Sequence, residues 1–189
     1  MHALIVGARG VGKSTLIRRV LEQLNQPLIG FETKKEDALA DEVNGSPVYI
    51  YEAGKEHLQT EENLVGHCKN KHAATMKEAF DRYAPKLTVP VPQDRIVVMD
   101  ELGFMESRSE AFCNAVMGLL DGEAPVIAAV KDKDIPFLEA VRSHPNTRCF
   151  FITPDNRDAL YFEVLEFMKA QVKIPPRQLW PESKNWPAG

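Results

Sequence analysis

Short apolar runs alternate with amphipathic stretches along the chain. The run at 2–6 carries no formal charge and ends in a glycine-rich turn, the pattern of a parallel strand buried on both faces. From Lys13 onward Leu16, Ile17, Val20, Leu21 and Leu24 recur at helical spacing until Pro27 closes the segment. Strands are expected at 28–33 and 48–52, with a charged loop at 34–42 and an Asn44-Gly45 turn between them. From Thr60 the spacing predicts a long helix, with Thr60 as cap and Glu61 and Glu62 in the first turn. Its stripe would be Leu64, Val65, Cys68, His72, Met76, Ala79, Phe80 and Tyr83, and Pro85, Pro90 and Pro92 would end it. An apolar strand at 95–99 stops at Asp100-Glu101. Ser107 and Glu110 are spaced as a capping box ahead of a helix with Phe112, Val116, Leu119 and Leu120 on its stripe and Gly122 at its end. A strand at 125–130, a short helix at 134–144, a strand at 148–152 and a last helix at 155–172 complete the pattern. Strands alternating with helices predict an α/β fold of three layers, a mostly parallel central sheet with helices on both faces.

Composition narrows the class. A length of 189 residues fits one domain, expected over 1–172, and neither an internal repeat nor a low-complexity tract is visible. The remaining 173–189 holds Pro175, Pro176, Pro181 and Pro187 with Trp180 and Trp186, a tail expected to dock on the body of the protein or on a partner. With a net charge of −4 there is no basic face for a nucleic-acid backbone. No stretch reaches the roughly 20 apolar residues that span a bilayer, and an apolar strand from Ala3 leaves no room for a signal peptide. A cytoplasmic protein without nucleic-acid or membrane partners is expected. Cys68, Cys113 and Cys149 lack C-x-x-C spacing and should be reduced thiols, the last two acting as small hydrophobes.

The glycine-rich turn carries the strongest chemical signal. Gly7-Ala8-Arg9-Gly10-Val11-Gly12-Lys13-Ser14 meets G-x-x-x-x-G-K-[ST] at every fixed position, and it joins a strand to a helix as the mechanism requires. Backbone N–H groups of the turn and the helix N-terminus then converge on one point and can surround a polyphosphate. Lys13 would reach the β- and γ-phosphates, Ser14 would ligate Mg²⁺, and Thr15 would add a hydroxyl to the α-phosphate. Arg9 either leans over the γ-phosphate or is solvated; nothing in the sequence fixes its direction.

Asp100 and Glu101 end the apolar strand at 95–99, and open α/β sheets bind ligands at that carboxyl edge. Asp100 is expected to hold Mg²⁺, and Glu101 to orient or deprotonate a water behind the γ-phosphorus. Asn156 and Arg157 follow the last strand, so a base or ribose contact competes with an ordinary helix start capped by Asp155. Lys131-Asp132-Lys133-Asp134 does not match the guanine-reading N-K-x-D. Cys68 and His72 would share a helical face at a metal-binding spacing, but two ligands without a third favour a plain packing stripe.

These segments, in order, resemble a known family. The phosphate loop, Gly30-Phe31-Glu32-Thr33, the run Asp100-Glu101-Leu102-Gly103-Phe104-Met105-Glu106 and Thr153-Pro154-Asp155-Asn156-Arg157-Asp158 are similar to the motifs of the small stand-alone THEP-type, or cancer-related, nucleoside triphosphatases. The resemblance covers roughly residues 1–170 and is most specific over 100–106. It implies a P-loop NTPase fold and Mg²⁺-dependent hydrolysis of nucleoside triphosphates such as ATP and GTP, with loose base preference and slow turnover. Glu106 belongs to the motif but serves equally as a brace for the next helix. Relatives commonly carry proline in place of Arg9, and arginines after the Gly30-Phe31 hairpin where this chain has Lys34 and Lys35. A small-molecule kinase and a nucleotide-dependent binding module are the competing readings; a monomer is expected, without a sequence feature that decides it.

Overall fold

The strand His2–Gly7 (β1) is buried at every position. Its side chains alternate between two cores, Ala3 and Ile5 on one side, Leu4 and Val6 on the other. A strand covered on both faces has no room for charge, which is why this run reads as continuous apolar sequence. The structure, a computed structural model, describes residues 1–70 and 72–172. The expected docking of the tail at 173–189 lies outside the described residues.

After β1 come α1 (Lys13–Leu24), β2 (Leu28–Lys35), β3 (Ser46–Glu52), β4 (Leu64–Lys69), β5 (His72–Thr75), α2 (Lys77–Leu87) and β6 (Ile96–Leu102). Then follow α3 (Glu110–Asp121), β7 (Val126–Lys131), α4 (Pro136–Arg142), β8 (Thr147–Phe151) and α5 (Arg157–Gln171). The strands form one sheet in the order β5-β4-β3-β2-β6-β7-β1-β8. From β2 to β8 neighbours run parallel, and β3, β4 and β5 extend the sheet antiparallel. Helices α1 and α5 pack on one face, while α2, α3 and α4 pack on the other. This is the expected three-layer α/β arrangement.

Phe112 of α3 anchors the second face. Its ring meets Phe31 at 5.0 Å and Phe80 at 5.1 Å, both edge to face, so three elements share one aromatic cluster. Each such pair contributes about 0.5–1.5 kcal/mol beyond area burial. Among the described residues no helix is long and apolar enough to cross a membrane.

The long helix expected from Thr60 does not form. Residues 64–69 and 72–75 are a pair of antiparallel strands, and helix begins only at Lys77. Gly66 has φ +154°, and a Cβ there would lie 2.1 Å from the Ala74 carbonyl oxygen, so the two strands approach more closely than a side chain permits. Asn70 turns the chain with φ +49°, a conformation asparagine tolerates better than other side chains. Thr60 is not a helix cap; its N–H and hydroxyl both donate to Asn63 Oδ1 at 2.8 Å. Cys68 and His72 consequently sit on different strands, and the helical metal spacing disappears. Pro85 lies inside α2, which runs on to Leu87.

The capping box is displaced as well. Ser109, rather than Ser107, caps α3 by accepting from the Phe112 N–H at 3.1 Å, while the Ser107 hydroxyl donates to the Phe104 carbonyl. The last two helices start two residues later than expected, at Pro136 and Arg157. All three cysteines are free and only partly buried, and burial pushes the Cys113 thiol up to about 11.

Candidate active site

Two glycines shape the turn from β1 into α1. Gly12 caps α1 with φ 107° and ψ 18°, a left-handed conformation that costs glycine nothing. Gly7 is required by crowding, because a Cβ would meet Ile152 at 2.8 Å. The loop thereby delivers Lys13 to the mouth of the site. Only 3% exposed, Lys13 donates from Nζ to the Gly7 and Ala8 carbonyls, each at 2.9 Å, and pairs with Glu101 Oε2 at 3.0 Å. Val11 is buried beneath the loop, whereas Gly10, Ala8 and Arg9 are exposed, as are Ser14 and Thr15 at the start of α1.

Strand β6 brings the two carboxylates to the same edge. Its register with β7 slips between Asp100 and Leu102, and the peptide bond between Asp100 and Glu101 is cis. Ser14 donates its hydroxyl to Asp100 Oδ1 at 2.9 Å. Burial raises the Asp100 pKa to about 6, helped by the negative charges of Glu101 and Glu32 and opposed by the Ser14 hydrogen bond. Glu101 stands between two ammonium groups, Lys13 at 3.0 Å and Lys131 at 2.9 Å.

Lys131 escaped the sequence reading, which tested it only against the guanine signature. Its signal was the one used for Asp100, a charged residue at the carboxyl end of an apolar strand. Glu32 was missed too; it lies opposite Asp100 in the β2–β6 register and pairs with Lys34 at 3.0 Å. Lys35 in turn pairs with Asp37 at 2.5 Å, so both lysines after the Gly30-Phe31 hairpin are held by carboxylates.

Beyond Lys13 lies a cavity of about 580 Å³ between the phosphate loop and the antiparallel extension. Arg9, Lys35 and Lys131 line it with Asp100 and Glu101, and Met105 and Ala73 contribute apolar wall. Glu106 is buried at its floor and accepts from the Gly103 N–H at 2.9 Å, bracing the turn after β6. Burial pushes the Glu106 carboxyl up to about 7, against the pull of Lys131.

The two residues proposed for base contact behave differently. Asn156 accepts from the Thr153 N–H at 2.8 Å and donates to the Phe151 carbonyl at 2.9 Å, so its amide shapes the loop after β8. Arg157 is exposed and leans over the phosphate loop, its Nε 3.5 Å from where a Gly12 Cβ would stand. Asn156 rather than Asp155 occupies the cap position of α5.

The donors near Ser14 suit a hard cation. Hydroxyl and carboxylate oxygens lie side by side, and Mg²⁺ binds through one or two carboxylates, waters and substrate phosphates rather than a protein cage. Among the described residues no group of three or more His, Cys, Asp or Glu side chains is arranged to hold a metal.

The chain is similar to several known proteins. The nucleoside-triphosphatase THEP1 of Thermotoga petrophila is 29% identical over 170 residues, covering 89% of this chain and 93% of that protein. The cancer-related nucleoside-triphosphatase homolog of Mus musculus is 25% identical over 188 residues, covering 89% and 97%. The crystal structure of THEP1 from the hyperthermophile Aquifex aeolicus superposes with a TM-score of 0.67 at 23% identity, over 89% of this chain and 99% of that one. The solution structure of a human cancer-related nucleoside triphosphatase gives 0.64 at 24% identity, over 91% and 99%. At such identities the structural likeness shows the fold. A model of the NTPase family matches residues 2–165, and the chain belongs to that family.

Proposed function

We propose that the protein hydrolyses nucleoside triphosphates to the diphosphate and phosphate with Mg²⁺ and with loose base preference. The observation that carries this reading is the Glu101 carboxylate 3.0 Å from the phosphate-loop lysine. A carboxylate at that place can align a water with the γ-phosphorus and accept its proton. Mg²⁺ would supply charge neutralisation across the β- and γ-phosphate oxygens, held by Ser14 and Asp100.

Lys13 exchanges partners when a triphosphate binds. Its contacts with the Gly7 and Ala8 carbonyls and with Glu101 give way to phosphate oxygens, which also need the loop N–H groups. Arg157, leaning over Gly12, adds positive charge where the phosphates would lie. Shallow base preference follows from Asn156 being committed to the backbone at both ends of its amide, which leaves the base few specific partners. A cytoplasmic monomer that binds no nucleic acid completes the proposal.

The kinase reading has one observation behind it, the 580 Å³ cavity beyond Lys13, large enough for a phosphoryl acceptor. Phosphate release from ATP, GTP, CTP and UTP, with and without candidate acceptors, separates the two. Release without acceptor, differing among bases by no more than about tenfold in kcat/KM, supports hydrolysis. Product that appears only with an acceptor overturns it.

A further inference from the structure

Lys131 is held more firmly than a surface lysine needs to be. It ends β7 directly opposite Gly7, the first residue of the phosphate loop. Its carbonyl accepts from Arg142 Nη1 at 3.3 Å and from the Lys133 N–H at 3.0 Å, while the next N–H, of Asp132, donates to Gly7 at 3.3 Å. The aliphatic stem crosses Gly103, where a Cβ would lie 2.8 Å from Cδ and 2.9 Å from Nζ. A glycine in the motif after Asp100-Glu101 therefore leaves the path open for this side chain. The ammonium finishes 2.9 Å from Glu101 Oε1.

The two lysines on Glu101 have different futures once a triphosphate arrives. Lys13 must turn to the β- and γ-phosphates, which removes one of the two cations on the carboxylate. Glu101 then faces a highly charged anion. Lys131, anchored on a separate strand, keeps its contact and fixes the direction of the carboxylate.

We infer that Lys131 is the positioning residue for Glu101, holding its carboxylate toward the γ-phosphorus while Lys13 serves the substrate. This rests on the hydrolytic reading above. It acts through Glu101 and touches no reacting atom.

The test compares Lys131→Met, Lys131→Arg, Glu101→Gln and the Lys131→Met/Glu101→Gln double variant in phosphate release, with binding measured by titration of a non-hydrolysable triphosphate analogue. Lys131→Met should lower kcat by about 10–10²-fold, the scale on which a misplaced catalytic group costs rate, and leave analogue affinity within about threefold. Lys131→Arg should recover most of the loss by restoring the cation. The double variant should be no slower than Glu101→Gln alone, since both changes disable one device. A slow Glu101→Gln beside a Lys131→Met enzyme of unchanged kcat overturns the inference and leaves the hydrolytic reading standing, as do losses that multiply in the double variant. A Glu101→Gln enzyme of wild-type rate overturns both.

Discussion

The parallel half of the sheet and its antiparallel extension differ in how they are built. Strands β1, β6 and β7 are buried almost throughout, with apolar side chains on both faces. In β4 and β5 only Val65 and Gly66 are buried, and Lys69 and His72 lie exposed. Among the described residues, the buried side-chain polar atoms without a hydrogen-bond partner are Thr33 Oγ1, His67 Nδ1 and Thr75 Oγ1, on β2, β4 and β5. An unpaired buried polar group costs stability, and two of these three lie in the extension. The groups proposed for chemistry stand on the parallel half, at the carboxyl ends of β1, β6 and β7 and the start of α1. The extension supplies only a wall of the cavity, through residues such as Val48, Cys68 and Ala73. Rate should therefore depend on one region, and the shape of what enters on the other.

The largest effect is expected at the phosphate loop. Lys13→Ala should weaken triphosphate binding and lower turnover by about 10²–10³-fold or more, measured by titration and phosphate release. An enzyme of wild-type affinity and rate would break the assignment of chemistry to the parallel half. Phe112→Ala probes its packing and should destabilise the fold by about 3–5 kcal/mol in urea unfolding, because the aromatic cluster joining α2, α3 and β2 collapses only partly around the hole.

A smaller effect concerns pH. His2 accepts at Nδ1 from the Val126 N–H at 3.3 Å and donates from Nε2 to the Leu120 carbonyl at 2.9 Å, so its ring is neutral in the folded protein. Burial lowers its pKa from 6.5. The unfolded chain then takes up a proton more readily than the folded one, so His2 contributes stability above about pH 6.5 that is lost as pH falls through its folded pKa. Urea unfolding of wild type and His2→Gln across that range should show a steeper loss on acidification for wild type; parallel curves would contradict it. Smallest of all, Lys77→Ala removes an exposed ion pair with Asp81 within α2, next to the extension, and should leave the urea unfolding midpoint almost unchanged.

The same contrast explains what the sequence made legible. The turn from Gly7 to Ser14 between strand and helix, and the place of Asp100 and Glu101 at the end of a buried strand, were readable because the proposed phosphate site demands particular residue types at fixed spacing. The parallel strands themselves were readable from apolar runs such as 96–99, but not their order in the sheet. In the extension, partly covered strands alternate weakly, and Leu64, Val65, Cys68, His72 and Met76 happen to fall at helical spacing before a real helix begins at Lys77. Gly66 and Asn70 were the signs against helix, since one permits close strand approach and the other a left-handed turn. Lys131 was hidden for another reason: its partner Glu101 lies on a neighbouring strand 30 positions earlier in the chain, and no local pattern records such a pairing.

Glu101 is the group proposed to act on water. The direct test is phosphate release by Glu101→Gln at saturating Mg²⁺ and nucleotide, with affinity measured alongside and Asp100→Asn as a contrast that should weaken Mg²⁺-nucleotide binding as well as rate. Glutamine keeps the size and most of the hydrogen bonding but loses the charge and the proton acceptor. Turnover should fall by about 10²–10⁴-fold while nucleotide affinity holds or rises. Phosphate release within about threefold of wild type would contradict the account, because a group worth less than that is not the general base of the reaction.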